Sequence, residues 1–261
     1  MTRLTVAPPP SKVVPIIVPI AEPALAALAV FRPVKAGNTF EQTVERLAQA
    51  IKLGAVPLGE RLPAERELAE RMNVSRVTLR EAIKALQQAG YVESRRGRSG
   101  GTFVIFDTTR RTPRDAKAVV RRMGREEVLD ALEFRYVVEP GAAELAAGRR
   151  LDASARLYLE SCLDDVLDAD AESRRVGDSR LHRAIGELSG SSSLAAAVTD
   201  LQVRLDELLA AIPVLARNIE HSDDQHEEIV AAILGGHRRK ARTAMEQHVE
   251  ATAALLRGFL A

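Results

Sequence analysis

The chain has 261 residues, enough for two ordinary domains, with 46% hydrophobic and 28% charged residues, a globular profile. A net charge of +1 carries no bulk sign of a nucleic-acid partner, and a single cysteine, Cys162, excludes an internal disulfide framework and any Cys-based zinc finger. Aromatics are only 3% and Trp is absent, while Ala, Leu, Glu and Arg dominate, so the expected core is aliphatic and mostly helical.

In chain order, Val13 to Phe31 is apolar, but Pro15, Pro19, Glu22 and Pro23 interrupt it and argue against a membrane-spanning helix. Lys12 ahead of a short apolar run also fits a signal peptide, a reading the remainder of the chain disfavours. Residues 1–37 are expected to form a flexible, Pro-rich tail. Order should begin at Asn38–Thr39, a helix N-cap, followed by Phe40, Val44, Leu47, Ala48 and Ile51 at helical spacing and a stop at Gly54. Pro63 opens a short helix through Met72, Asn73 to Ser75 make a tight turn, and Ser75 caps a third helix ending at Gly90. Strands are expected over Tyr91–Arg95 and Thr102–Phe106, joined by a Gly-rich basic hairpin. Asp107 to Asp115 is polar and reads as a linker. From Ala116 only helical periodicity follows, with breaks near Met123–Gly124, Pro140, Gly148–Asp152, Gly190–Ser193, Pro213 and Gly235–Gly236.

Charge is concentrated locally. Between Ser75 and Arg98 lie six basic residues against two acidic ones. On the third helix Leu79, Ala82, Ile83 and Leu86 share one face, while Arg76, Arg80 and Lys84 form a stripe beside it, with Thr78 and Glu81 also outside the core. Three helices with a tight second turn and then a basic hairpin make a winged helix-turn-helix layout, in which such a stripe enters a major groove. A single arginine there reads equally as part of a solvated face.

All five histidines fall in the second half. Asp178 and His182 are one helical turn apart. His226 and His248 lie at similar depths on either side of the Gly235–Gly236 turn, so their rings can face each other, and imidazoles beside a carboxylate suit zinc, nickel or a similar divalent ion. Each of these histidines alone also fits a hydrogen-bonded core or surface residue. His221 and His237 sit in polar company and read as solvated, and Cys162 reads as a buried, inert thiol.

The segment LPAERELAERMNVSRVTLREAIKALQQAGYVESRRGRSGGTFV, Leu62 to Val104, closely resembles the DNA-binding domain of the GntR family. The resemblance implies DNA contacts by Arg66, Arg76, Arg80 and Gly97, with Thr78 a further one; Val77 stands where relatives often carry a hydroxyl. From Arg135 onward, LEFRYVVEPGAAELAA, DSRLHRAIGELSG and QHEEIVAAILGGHRRKARTAMEQHVEAT resemble the FCD effector domain of the FadR subfamily. That likeness implies a metal set of Asp178, His182, His226 and His248, and an Arg135 that pairs with a carboxylate effector in the same cavity; a salt bridge from Arg135 to Glu139 is the competing reading. Ser191 and Ser192 replace an Asn common in relatives.

The expected architecture is mainly α: a winged helix-turn-helix over 38–106, a linker over 107–115 and an FCD-like helical domain over 116–261. The expected function is a cytoplasmic, homodimeric, ligand-responsive transcription regulator, acting as a repressor, which binds double-stranded DNA at an inverted repeat and takes a divalent metal (Zn or Ni) and a small organic acid. The alternatives are a direct metal sensor and a metal-dependent hydrolase, the latter disfavoured because no separate general base is evident, so no enzyme is expected.

Overall fold

The computed structural model describes residues 31, 33–34, 37–52, 54–97, 100–106, 123–170 and 173–260. The linker over 107–115, the chain from 116 to 122 and nearly all of the expected tail lie outside the described residues. The elements are α1 (Thr39–Lys52), α2 (Glu65–Met72), α3 (Arg76–Gln88), β1 (Val92–Arg95), β2 (Gly101–Val104), α4 (Arg125–Ala147), α5 (Ala153–Leu167), α6 (Arg174–Leu188), α7 (Ser192–Ala210), α8 (Ala216–Leu234) and α9 (Arg238–Phe259). Nine helices and one hairpin among the described residues make the fold mainly α, a winged helix-turn-helix followed by a helical domain.

Helical periodicity builds the first unit. Val44, Leu47 and Ile51 of α1 meet Leu68 and Met72 of α2 and Leu79, Ile83 and Leu86 of α3 in one core. Asn73 holds the α2–α3 turn with a left-handed φ of 53°, a conformation Asn tolerates better than most residues. Ser75 Oγ then accepts from the Thr78 N–H at 3.0 Å and caps α3. In the hairpin Val92 pairs with Val104 and Arg95 with Gly101. Both strands are shorter than expected, and a segment not expected joins them: the N–H groups of Gly59 and Leu62 donate to the carbonyls of Val104 and Thr102, each at 2.8 Å.

The first core does not stop at the wing. It continues through Val128, Leu132, Leu201, Leu205, Leu256 and Phe259, so the helical domain shares its apolar interior with the winged helix. α9 approaches α1 so closely that a Cβ on Gly258 would lie 3.0 Å from the Glu45 Cα. A second core, with Val138, Leu159, Leu181, Ile185, Ile229 and Met245, fills the helical domain itself. Cys162 is buried in it, as expected.

Four differences from the sequence reading are physical. Phe31 and Val34, at the end of the expected tail, are buried, and the Val34 N–H donates to the Met72 carbonyl at 3.0 Å. Pro140 does not break α4: flanking Val138, Glu139, Ala142 and Ala143 are all buried and hold the helix straight through it. Pro140 lacks the N–H that would have bonded the Tyr136 carbonyl, a local loss that packing on both sides outweighs. The chain does break between α5 and α6, where no Gly or Pro marks it; Asp170 Oδ1 instead accepts from the Ser173 N–H at 2.8 Å. Finally, His221 is only partly solvated: it is half-buried beside α1 of the winged helix, with Glu41 Oε1 2.9 Å from its Nδ1. His237 is exposed, as expected. No helix among the described residues is long and apolar enough to cross a membrane.

Candidate functional site

The winged helix presents its polar residues outward. Arg76 and Arg80 are exposed on α3 beside the half-buried Thr78, and Arg66 is exposed on α2. Gly97 is exposed in the wing with φ of 106°, a conformation that favours glycine. Arg80 Nε donates to Glu65 Oε2 at 2.7 Å, and Arg66 lies 3.9 Å from Glu70. Exposed pairs of this kind are screened by solvent and weak, so they leave the guanidinium groups able to change partner. Arg95 is more committed: it donates to Glu93 Oε1 at 2.8 Å and its guanidinium lies 4.4 Å from the Phe103 ring centroid.

The helical domain does the opposite and gathers polar groups inside. Asp178 and His182 come from α6, His226 from α8 and His248 from α9, and one donor atom from each lies within 4.8 Å of all the others. All three imidazoles are buried. The Nε2 atoms of His182 and His248 are 3.2 Å apart, and Asp178 Oδ1 is 3.3 Å from His226 Nε2 and 4.0 Å from His182 Nε2.

These donors fit a divalent ion on three grounds. First, both ring nitrogens of His226 are buried without a hydrogen-bond partner, a cost of about 1–3 kcal/mol per group, and coordination through Nε2 would relieve one of them. Second, burial lowers the pKa of His226 to about 4 and pushes His248 well below its usual value, with neighbouring histidines adding to the effect on His248. Both rings are therefore neutral near pH 7, the form that binds metal. Third, acceptors stand behind two rings: Glu139 Oε2 is 2.9 Å from His182 Nδ1, and Gln225 Oε1 is 3.3 Å from His248 Nδ1. The Gln225 bond can hold a proton on His248 Nδ1 and leave its Nε2 for a metal, while Glu139 lies close to His182 Nδ1 without hydrogen-bond alignment. Burial opposes charge on His182, but Glu139 outweighs it and raises that pKa.

Glu139 is the hub that sequence reasoning placed only as a partner for Arg135. It accepts from Arg135 Nε at 3.0 Å and from Gln202 Nε2 at 2.6 Å. Burial alone would raise its pKa, yet Arg135 and His182 hold it near 2. The expected alternative of an Arg135–Glu139 ion pair is thus present. It does not exhaust Arg135, whose Nη1 is buried without a partner beside a cavity of about 110 Å³ that Asp178 and His248 also line.

Two further residues were missed. Gln225 Nε2 donates to Asn38 Oδ1 at 3.2 Å, and Asn38 Nδ2 donates to the Gln247 carbonyl at 2.7 Å. A chain of buried side chains therefore runs from His248 to the residue just ahead of α1. Asn38 had been noticed only as a helix N-cap.

An exposed basic helix with a wing, packed on a helical domain that buries a cluster of imidazoles, is the architecture of a DNA-binding transcription regulator. Residues 39–104 match the family model for bacterial regulatory proteins of the gntR family, and residues 130–251 match the FCD domain. The chain is 34% identical over 216 residues to RmpR of Mycobacterium gastri, described as a candidate HTH-type transcriptional regulator, a match covering 79% of this chain and 76% of that one. It is 27% identical over 216 residues to the HTH-type transcriptional regulator LutR of Bacillus subtilis, covering 80% and 97% of the two chains. Among solved structures it is similar to Streptococcus agalactiae GntR, at 26% identity and a TM-score of 0.44, covering 82% and 98%. The chain belongs to the GntR family, with an FCD domain behind its winged helix.

Proposed function

We propose that this regulator binds a divalent metal, zinc or nickel, through Asp178, His182, His226 and His248, and that a small carboxylate joining the metal and Arg135 controls its grip on DNA. The observation that carries this reading is a cavity lined by Arg135, whose buried Nη1 has no partner, together with Asp178 and His248 of the four-residue donor cluster. A bound ion would supply an electrophilic position for one carboxylate oxygen. Arg135 would hold another oxygen by a charge-assisted bond while Glu139 keeps the guanidinium aligned. On the other surface, Arg66, Arg76, Thr78, Arg80 and Gly97 contact DNA, the arginines gripping phosphate or guanine. A homodimer would set two such helices on an inverted repeat. The effector weakens that grip, the behaviour of a cytoplasmic repressor.

The signal leaves the cavity from His248 through Gln225 and Asn38 into α1. A guest acts only by favouring one packing of these helices over another. The test is operator titration with metal-loaded protein and a panel of organic acids, on wild type and Arg135→Lys. The Lys variant keeps a buried cation for Glu139 but loses the second guanidinium arm. Wild-type release by an acid, with at least tenfold loss of sensitivity in the variant, is expected; equal sensitivity removes Arg135 from the site. A second reading, in which the metal itself is the signal, is favoured by the direct His248–Gln225–Asn38 link. Metal-dependent release with no response to any acid would establish it.

A further inference from the structure

A carboxylate head accounts for one end of the cavity, and the remainder of its wall has a different chemistry. Arg135, Asp178 and His248 line the polar end. The same cavity is also lined by Leu209, Ile212, Leu215, Ile219 and Leu255, from the end of α7, the connection that follows it, the start of α8 and α9. Ser222 also lines the cavity, and four other polar side chains beside this wall are already engaged. Both terminal nitrogens of Arg174 bond the Asp223 carboxylate, and Arg175 Nη2 donates to the Leu209 carbonyl at 3.0 Å. Asn218 Nδ2 donates to Glu41 Oε1 at 3.1 Å, and Thr252 Oγ1 to the His248 carbonyl at 3.4 Å.

A body rich in hydroxyls would surrender its water here and find few groups to replace it. An apolar body gains by the same burial. Size is limited as well: about 110 Å³ is somewhat less than a cavity that holds benzene, so the guest is short.

We propose that the effector is a short monocarboxylic acid with a branched aliphatic body, not a sugar acid or other polyhydroxylated acid. Its head meets the metal centre and Arg135, and its body lies on the Leu209–Leu255 wall. This rests on the metal-and-carboxylate reading above.

The experiment is calorimetric titration of the full-length, zinc-loaded protein with acetate, 3-methylbutanoate and gluconate. Acetate probes the head alone, and the other two share that head with opposite bodies. 3-Methylbutanoate is expected to bind at least tenfold more tightly than acetate, since three added carbons are buried, and gluconate no more tightly than acetate. Ile219→Asn, at a half-buried wall position, should erase the advantage of 3-methylbutanoate while leaving metal content and acetate affinity unchanged. Gluconate binding as tightly as 3-methylbutanoate, or an advantage that survives Ile219→Asn, overturns the apolar-body inference while the carboxylate head stands. If none of the three acids binds the zinc-loaded protein, the carboxylate reading itself fails and takes this inference with it.

Discussion

The two halves of the molecule handle polar side chains in opposite ways. Arg66, Arg76 and Arg80 stand in water and pay no desolvation until DNA arrives, so they can be lost without harm to the fold. Arg135, Glu139, His182, His226 and His248 are buried together, so each one is tied to stability as well as to any ligand. Affinity changes in the first half should therefore be separable from stability, and those in the second half should not.

The largest effect expected from this contrast is at the buried cluster. His226→Ala combined with His248→Ala should bring metal content from about one ion per chain to background, as read by elemental analysis. An ion that binds only the folded state adds about 4 kcal/mol at a thousandfold excess over its Kd. A chelator should therefore lower the melting temperature of the wild type and not that of the double variant. Equal metal in both proteins would refute the site.

Acid should probe the same cluster without mutation. In metal-free protein the folded His226 has a pKa near 4 against 6.5 for the exposed ring of the unfolded chain. Between those values the unfolded chain binds more protons, so stability falls as pH drops from about 6.5 toward 4, by about 3 kcal/mol for this ring. His248, also lowered, acts in the same direction, and Glu139 extends the loss below pH 4.5. His182 is raised, so its contribution is present below 6.5 and is lost only as pH climbs through its folded value. Denaturant melts of metal-free protein across pH 4 to 7 would measure this; a flat acid limb would mean the rings are not held neutral. Metal-loaded protein should release its ion over the acid limb as the imidazoles protonate.

At the exposed surface the expected effect is smaller and of another kind. Arg76→Ala or Arg80→Ala should cost about 1–3 kcal/mol of operator affinity, concentrated at one base position if the arginine reads guanine. The melting temperature should not move, because neither residue lies on the face that carries Leu79 and Leu86. Unchanged operator affinity in the double variant would rule out docking through α3.

What the sequence revealed follows the same division. The α3 core face, the hairpin and the helix pair around Gly235–Gly236 were legible because period and turn chemistry are local. The four candidate ligands were legible only with a family resemblance, since His182 and His248 are 66 residues apart. Glu139 behind His182, and Gln225 bonding Asn38 across 187 residues, carried no local sign, because polar pairs leave no period in a sequence. The same holds for Phe31 and Val34, whose burial depends on the surface that α2 offers them. Asn38→Ala tests this hidden junction: it should lower the effector's influence on DNA affinity while metal content stays at wild type. Full retention of the effector response would return the signal to the linker.

The smallest effect is expected in the wing, where the contrast between reading and gripping can be sharpened. Arg95 is held by Glu93 and lies over Phe103, so its charge is partly spent within the protein. Arg96 is exposed at the next position, and Arg98 lies outside the described residues. A phosphate contact releases counterions from DNA and carries no sequence information. Arg96→Ala should therefore weaken operator and random DNA by the same factor and flatten the slope of log affinity against log salt by about one. Arg95→Ala should change that slope less, because its carboxylate partner already offsets it. Titration of both variants on two sequences at three salt concentrations separates the outcomes. A loss at Arg96 confined to the operator would move the wing from gripping to base reading, and the two arginine-bearing surfaces of the winged helix would then have one role instead of two.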